Sequence, residues 1–186
     1  MNIKRRTVYI GKIAILSALS FVVMIFEFPI PVFPLFLKID LSEVPALISA
    51  FALGPISGII IELIKNVLHI TFSATAGIGE LANFIVGAAF VGTAGAIYQR
   101  KKTKTTAFIS MAAGTAAMVI TAALANYYIL IPLYRAFLKF PDPRNTLITD
   151  VRTLVMYGII PFNIIKGVTV SFTVAALYKK VSPVLH

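Results

Sequence analysis

The stretch Ala52-Leu53-Gly54-Pro55-Ile56-Ser57-Gly58 lies inside one long apolar run, residues 44–70, and divides it in two. Proline lacks a backbone donor, and it starts helices more readily than it continues them. The pair Gly54-Pro55 therefore predicts that one helix ends at residue 53 and that another begins at residue 55. Whether the chain forms five or six long apolar helices depends on this break.

Composition predicts an all-α integral membrane protein. Of 186 residues, 59% are hydrophobic and 13% are charged, and the mean hydropathy is +0.92, which is far from the balance of a soluble domain. Helices of about 20 apolar residues span a bilayer. We expect one domain, residues 1–186, with helices at 8–26, 44–53, 55–70, 79–98, 107–131 and 153–178. The second helix is too short to cross unaided, so we expect it to pack against its neighbours.

The basic residues predict the orientation of the chain. Three clusters contain no acidic residue: Lys4, Arg5, Arg6 and Lys12; Arg100, Lys101, Lys102 and Lys104; Lys179 and Lys180. The positive-inside rule places all three clusters in the cytoplasm, which requires an even number of crossings before Arg100. The sequence thus predicts six transmembrane helices with both termini cytoplasmic. The net charge of +10 is then a topology signal, and we expect no nucleic-acid partner.

The connection at residues 27–40 is predicted to form a lid over the outer end of the bundle. It is too apolar for a solvated loop and too rich in proline for a helix. A strand-like hairpin in the headgroup region is the alternative. Asp40 and Glu43 have the spacing of a capping box for the second helix, with ligand contact as the other interpretation. The connection from Leu133 to Arg152 is predicted to be an ordinary solvated loop.

Several polar residues fall in segments that must cross the membrane, where a charge is costly and usually marks a site. Asn163 and Lys166 lie one turn apart in the last helix. Glu80 and Asn83 lie one turn apart at the start of the fourth, and Asn126 is near the outer end of the fifth. The helix directions lead us to expect one outward-facing cavity. A second set shares one face of the third helix and is interpreted as a polar seam between helices: Glu62, Lys65, Asn66 and His69.

Several stretches together resemble the substrate-binding S components of energy-coupling factor (ECF) vitamin transporters. They are LKIDLSEVPAL at 37–47, GPISG at 54–58 with LIKN at 63–66, GIGELAN at 77–83 and PFNIIKG at 161–167. The blocks keep the family's order, and the resemblance covers nearly the whole chain. The last two blocks resemble the riboflavin-specific branch. Asn66 departs from the Asp that many S components carry, a change that is compatible with this branch.

The resemblance implies high-affinity capture of riboflavin outside the cell membrane by a multi-pass protein. It also implies partners, namely a transmembrane scaffold subunit and two ATPase subunits that hydrolyse the ATP. We expect no enzymatic activity, no catalytic or metal-binding residues and no cofactor, since riboflavin is the transported ligand. Ala14 and Ala18 match the family's docking motif, although their small side chains equally suit internal packing. The substrate-binding residues expected are Asn163, Lys166, Asn126, Glu80, Asn83, Phe36, Leu37 and Lys38.

Two other classes of function stay open from the residues alone. An ion-coupled secondary carrier for another small polar-aromatic solute would use Glu62, Lys65 and Lys166 as a proton relay, although no internal repeat is evident. An intramembrane enzyme would need a nucleophile and a base. Ser57 and His69 are about 18 Å apart along one helix, too far for proton transfer. The absence of cysteine excludes disulfides and thiolate metal sites.

Overall fold

The computed structural model describes residues 3–138 and 150–185. Four uninterrupted helices come first: α1 (Ile3–Ile25), α2 (Glu43–Leu53), α3 (Pro55–His69) and α4 (Ile78–Arg100). Residues 139–149, which make up most of the predicted solvated loop, lie outside the described range. So do the side chains of Lys4, Arg5, Lys179 and Lys180 from the predicted basic clusters.

Two longer helices each contain a π-helical turn. We call α5 the helix that comprises Lys104–Ala125, the π turn Asn126–Leu130 and Ile131–Leu138. We call α6 the helix that comprises Val151–Leu154, the π turn Val155–Ile159 and Ile160–Leu185. A 3-10 turn, Ile70–Phe72, follows α3. A short antiparallel hairpin pairs β1 (Phe28–Pro29) with β2 (Lys38–Ile39) in the connection between α1 and α2.

Five helices in the described part of the chain are long and apolar enough to cross a membrane, and α2 is not among them. Large apolar side chains point outward around the bundle, including Ile15, Phe108 and Phe172. Such a surface suits lipid rather than water. By contrast, α2 has eight of its 11 residues buried and contacts α1, α3, α4 and α6. The short helix therefore lies inside the bundle.

The break between α2 and α3 lies at Gly54 and Pro55. Gly54 has a φ of +108°, a conformation that favours glycine, and Pro55 is the first residue of α3. The two helices then pack closely, because a Cβ at Gly58 would lie 2.8 Å from the Cβ of Ala50 and 2.9 Å from the carbonyl oxygen of Ala46. The small residue at position 58 thus serves packing within the chain.

Both π turns end two residues before a proline. The N–H of Ile131 bonds to the carbonyl of Asn126, and that of Ile160 bonds to the carbonyl of Val155, each five residues back. Pro132 and Pro161 follow. Within a regular α-helix a proline ring clashes with the carbonyl four residues back. Because the widened turn relieves this clash, α5 continues to Leu138, seven residues past the predicted end at Ile131.

The connection at residues 27–40 packs onto the bundle rather than extending away from it. The ring of Phe36 lies 5.5 Å from that of Tyr134 on α5, and the ring of Phe33 lies 5.6 Å from that of Phe162 on α6. An ion pair between Glu27 and Lys38 joins the two ends of the connection. The segment therefore packs against α5 and α6 and contains the β1–β2 hairpin.

Candidate functional site

A cavity lies between the 27–40 connection and helices α2, α4, α5 and α6. It holds about 520 Å³ of space free of protein atoms, including open space at its mouth. We call it the inner cavity. Seven of the eight residues predicted to bind substrate line it: Phe36, Leu37, Lys38, Asn83, Asn126, Asn163 and Lys166. The sequence analysis gave ligand contact by Glu43, which also lines the cavity, as an alternative, and it did not identify three other lining residues: Met118, Tyr134 and Phe162.

The eighth predicted residue, Glu80, lines an adjoining space that we call the loop-side cavity. This cavity holds about 1110 Å³, including open space at its mouth. It shares five lining residues with the inner cavity: Phe36, Lys38, Gly79, Asn83 and Tyr134. The two spaces therefore adjoin, and a ligand longer than the inner cavity would extend into the loop-side one.

The asparagine side chains keep polar groups free for a ligand. Each of Asn126 and Asn163 donates one amide hydrogen to the carbonyl four residues back, Ala122 and Ile159, at 2.8 Å. A carboxamide has a second N–H and a carbonyl oxygen. The Oδ1 of Asn83 is buried and has no hydrogen-bond partner among the described residues. Three amides thus offer donors and acceptors to these cavities.

The π turns adjoin both asparagines of the inner cavity. Asn126 is the first residue of one turn, and Ile159, which accepts from Asn163, is the last residue of the other. π-Helical turns recur at functional sites because they re-aim side chains within a helix. A proline inside an apolar helical segment, at 132 and at 161, is the sequence signal that would have located these turns.

Lys166 contacts two carboxylates. Its Nζ lies 3.0 Å from Oδ2 of Asp40 and 2.7 Å from Oε1 of Glu43. An ammonium group has three hydrogens, so one remains for a ligand in the inner cavity. Burial by itself would raise the pKa of the Asp40 carboxyl, but Lys166 and Lys65 outweigh burial and hold that pKa well below its usual range. Asp40 is therefore ionised at neutral pH.

A second buried lysine extends these contacts. The Nζ of Lys65 lies 2.9 Å from Oε2 of Glu62 and 3.5 Å from Oε1 of Glu43, and it donates to the hydroxyl of Ser42 at 2.6 Å. Buried charges persist only when they are paired in this way. We call the set the charge cluster, which comprises Asp40, Glu43, Glu62, Lys65 and Lys166. It joins the 27–40 connection to α2, α3 and α6, as expected of a polar seam.

The capping interpretation of Asp40 and Glu43 was wrong. Ser42 precedes α2 without a side-chain capping bond, and Oδ1 of Asp40 accepts the N–H of Ser42 at 2.8 Å. Glu43 turns instead toward both lysines. Two ammonium groups buried in the bundle need opposite charges more than a helix terminus needs a cap.

Glu80 is held by one side chain from the end of α3 and by one from the connection that follows α3. Its Oε1 lies 3.0 Å from Nδ1 of His69, and its Oε2 accepts from the hydroxyl of Ser73 at 2.7 Å. His69 was grouped with the polar seam because of its spacing along α3. It ends α3 instead, where the chain turns back and brings it against the first turn of α4. Sequence spacing within one helix could not reveal this partner.

The two residues predicted to dock a partner subunit line neither cavity. Ala14 and Ala18 are exposed on α1, whereas Ile13, Ser17 and Ser20 on the same helix are buried. The face that carries Ala14 and Ala18 therefore does not pack internally in the described part of the chain.

Residues 9–178 match the family model described as the ECF transporter, substrate-specific component. The chain belongs to this family. This S component is 39% identical to the riboflavin transporter RibU of Staphylococcus aureus, over 91% of its own length and 88% of that protein. It is 36% identical to the riboflavin transporter FmnP of Bacillus subtilis, over 98% of its own length and 94% of that protein.

A solved structure described as the S component of a bacterial ECF transporter matches this S component with a TM-score of 0.81. The two are 36% identical, and the match covers 96% of this chain and 97% of the other. These comparisons confirm the resemblance found in the sequence. The family is a transporter component rather than an enzyme, and with five apolar helices this S component is a multi-pass membrane protein.

Proposed function

We propose that this S component binds riboflavin with high affinity outside the cell membrane and takes it up together with a scaffold subunit and two ATPase subunits. The observation that carries the proposal is the inner cavity, where aromatic walls meet amide groups and one partly free ammonium. Its similarity to RibU and FmnP, both named riboflavin transporters, supports the same ligand.

The chemistry of riboflavin fits these groups. The isoalloxazine ring is flat and largely apolar, and its polar edge has an N–H between two carbonyls. Asn126 and Asn163 would match that edge with their free donors and acceptors, and Lys166 would donate its remaining hydrogen to a ring carbonyl or nitrogen. Phe36 and Leu37 would cover the ring. The ribityl chain would extend into the loop-side cavity toward Glu80, Asn83 and Lys38.

The proposed topology has six transmembrane segments in one domain, with α2 counted as the short second segment and both termini in the cytoplasm. In this topology the 27–40 connection is a lid at the outer end. Riboflavin is cargo, so no resident cofactor is proposed. Since the sequence contains no GxxxxGK[ST] motif, we assign ATP hydrolysis to the partner subunits, with Ala14 and Ala18 as the docking face.

The test is a calorimetric titration of the purified protein with riboflavin, with thiamine and biotin as matched controls. We expect one saturable site for riboflavin and no heat of binding for the controls, because the cavity suits a ligand with an apolar ring and a hydroxylated tail. Saturable binding of another vitamin, together with no binding of riboflavin, would contradict the proposal.

A further inference from the structure

Glu80 lines the loop-side cavity, and its carboxylate contacts two side chains that line neither cavity. Nδ1 of His69 is 3.0 Å from Oε1, and the hydroxyl of Ser73 donates to Oε2 at 2.7 Å. An ionised carboxylate only accepts hydrogen bonds, so the contact requires the hydrogen of His69 to be on Nδ1. Each carboxylate oxygen therefore has one partner supplied by the protein.

The turn before α4 fixes the direction of the Ser73 hydroxyl. Its oxygen accepts the backbone N–H of Gly77 at 2.9 Å and that of Thr75 at 3.2 Å. With two bonds accepted, the hydroxyl hydrogen points at Oε2 of Glu80, which at 2.7 Å is closer than the Thr75 hydroxyl at 3.3 Å. Gly77 has a φ of +85°, which favours glycine and closes the turn. The backbone of this turn thus aims one donor at one carboxylate oxygen.

Aromatic packing fixes the imidazole of His69 in the same way. The ring lies 5.9 Å from that of Phe72, which in turn lies 6.1 Å from the ring of Phe21 on α1. His69 is buried. A ring confined between neighbours keeps its hydrogen bond directed, which is how supporting residues orient a group that binds a ligand.

We propose that His69 and Ser73 are positioning residues for substrate recognition. They hold the Glu80 carboxylate so that its remaining lone pairs accept hydrogen bonds from hydroxyl groups on the substrate's polyol chain. A carboxylate that was free to rotate would have to be ordered on binding, and this ordering would reduce affinity. The proposal rests on the proposed function and deepens it, since it assigns recognition of the tail to a site apart from recognition of the ring.

The experiment compares two ligands on each variant. Lumiflavin has the ring of riboflavin with a methyl group in place of the ribityl chain. We expect His69→Phe and Ser73→Ala each to lower riboflavin affinity by about 5- to 10-fold and to leave lumiflavin affinity unchanged, because only the tail reaches Glu80. His69→Asn keeps a donor near the position of Nδ1 and should restore most of the riboflavin affinity.

Thr71→Ala is the matched control. Thr71 lies in the 3-10 turn between His69 and Ser73 and is exposed. Its hydroxyl donates to the carbonyl of Leu68 rather than to Glu80. The ratio of riboflavin to lumiflavin affinity should not change in this variant. If His69→Phe does not fold, the ratio of riboflavin to lumiflavin affinity in Ser73→Ala and His69→Asn tests the proposal.

The possible outcomes separate this proposal from the proposed function. If the unmodified protein binds neither flavin, the proposed function fails and the positioning role falls with it. If it binds riboflavin but the variants lower the affinity for both ligands equally, or for neither, His69 and Ser73 serve only to connect α3 with α4. That result would overturn the positioning role alone.

Discussion

The two lysines of the charge cluster differ in whether they reach the inner cavity. Lys65 contacts Glu43, Glu62 and the hydroxyl of Ser42, and it lines neither cavity. Lys166 has two partners and lines the inner cavity. Lys65 therefore belongs to the stability of the bundle, and Lys166 belongs both to stability and to the cavity.

This difference predicts separable effects of two substitutions. Lys65→Met should lower the free energy of unfolding by about 3–5 kcal/mol, because it leaves the carboxylate of Glu62 buried without a counter-charge. Asn163→Ala should leave the unfolding temperature nearly unchanged and weaken riboflavin binding by about 1–3 kcal/mol. Thermal unfolding in detergent and calorimetric titration measure the two quantities on the same preparations.

The double variant Lys65→Met with Glu62→Leu is the control for the first effect. It removes both charges, so it should recover much of the lost stability. Loss of binding in Lys65→Met at full stability, together with normal binding in Asn163→Ala, would contradict this assignment. It would place the ligand beside α3 rather than beside α6.

At the scale of helices, the charge cluster depends on one glycine in α4. The carboxylate of Glu62 on α3 lies against Gly87, where an added Cβ would overlap it. Gly92 also faces α3, but a Cβ there would meet only the end of the Ile59 side chain, at 3.2 Å. One glycine therefore makes room for a buried charge, whereas the other adjoins a flexible apolar chain.

Gly87→Ala should destabilise the protein by about 1–3 kcal/mol, since the methyl group displaces a carboxylate from its lysine. Gly92→Ala, the matched control, should be neutral or slightly stabilising because alanine is the better helix former. Thermal unfolding of both variants tests this. Equal unfolding temperatures would show that α3 and α4 can separate without loss of the charge cluster.

The sequence predicted helix positions better than it predicted contacts between distant residues. The pair Gly54-Pro55 and the polar residues in apolar segments are recognisable from the neighbouring sequence alone. The break before α3 and the polar side chains of the cavity could therefore be predicted. Asp40 and Lys166 are 126 positions apart, and no spacing rule joins them. Helix periodicity likewise placed His69 beside Lys65, whereas the chain reversal that brings it to Glu80 depends on the turn at Gly77.

For the whole molecule, the cavities and the small-residue face of α1 lie in different places. The buried face of α1 contacts a neighbour of the charge cluster, since the hydroxyl of Ser20 donates to the carbonyl of Ser42, whose own hydroxyl accepts from Lys65. Ala14 and Ala18 are exposed, and they line neither cavity. Under the proposed function, in which partner subunits complete the uptake of the ligand, binding and docking should therefore be separable by mutation.

We expect Ala14→Leu combined with Ala18→Leu to leave riboflavin affinity unchanged in the isolated protein and to abolish uptake in cells that supply the scaffold and ATPase subunits. Bulk at these positions keeps helix backbones apart. Ala112→Leu with Ala116→Leu is the matched control, since both alanines are exposed on α5 at the same spacing; uptake should be normal. Loss of binding in the α1 double variant would mean that this face supports the cavity after all, and normal uptake would mean that the scaffold docks elsewhere.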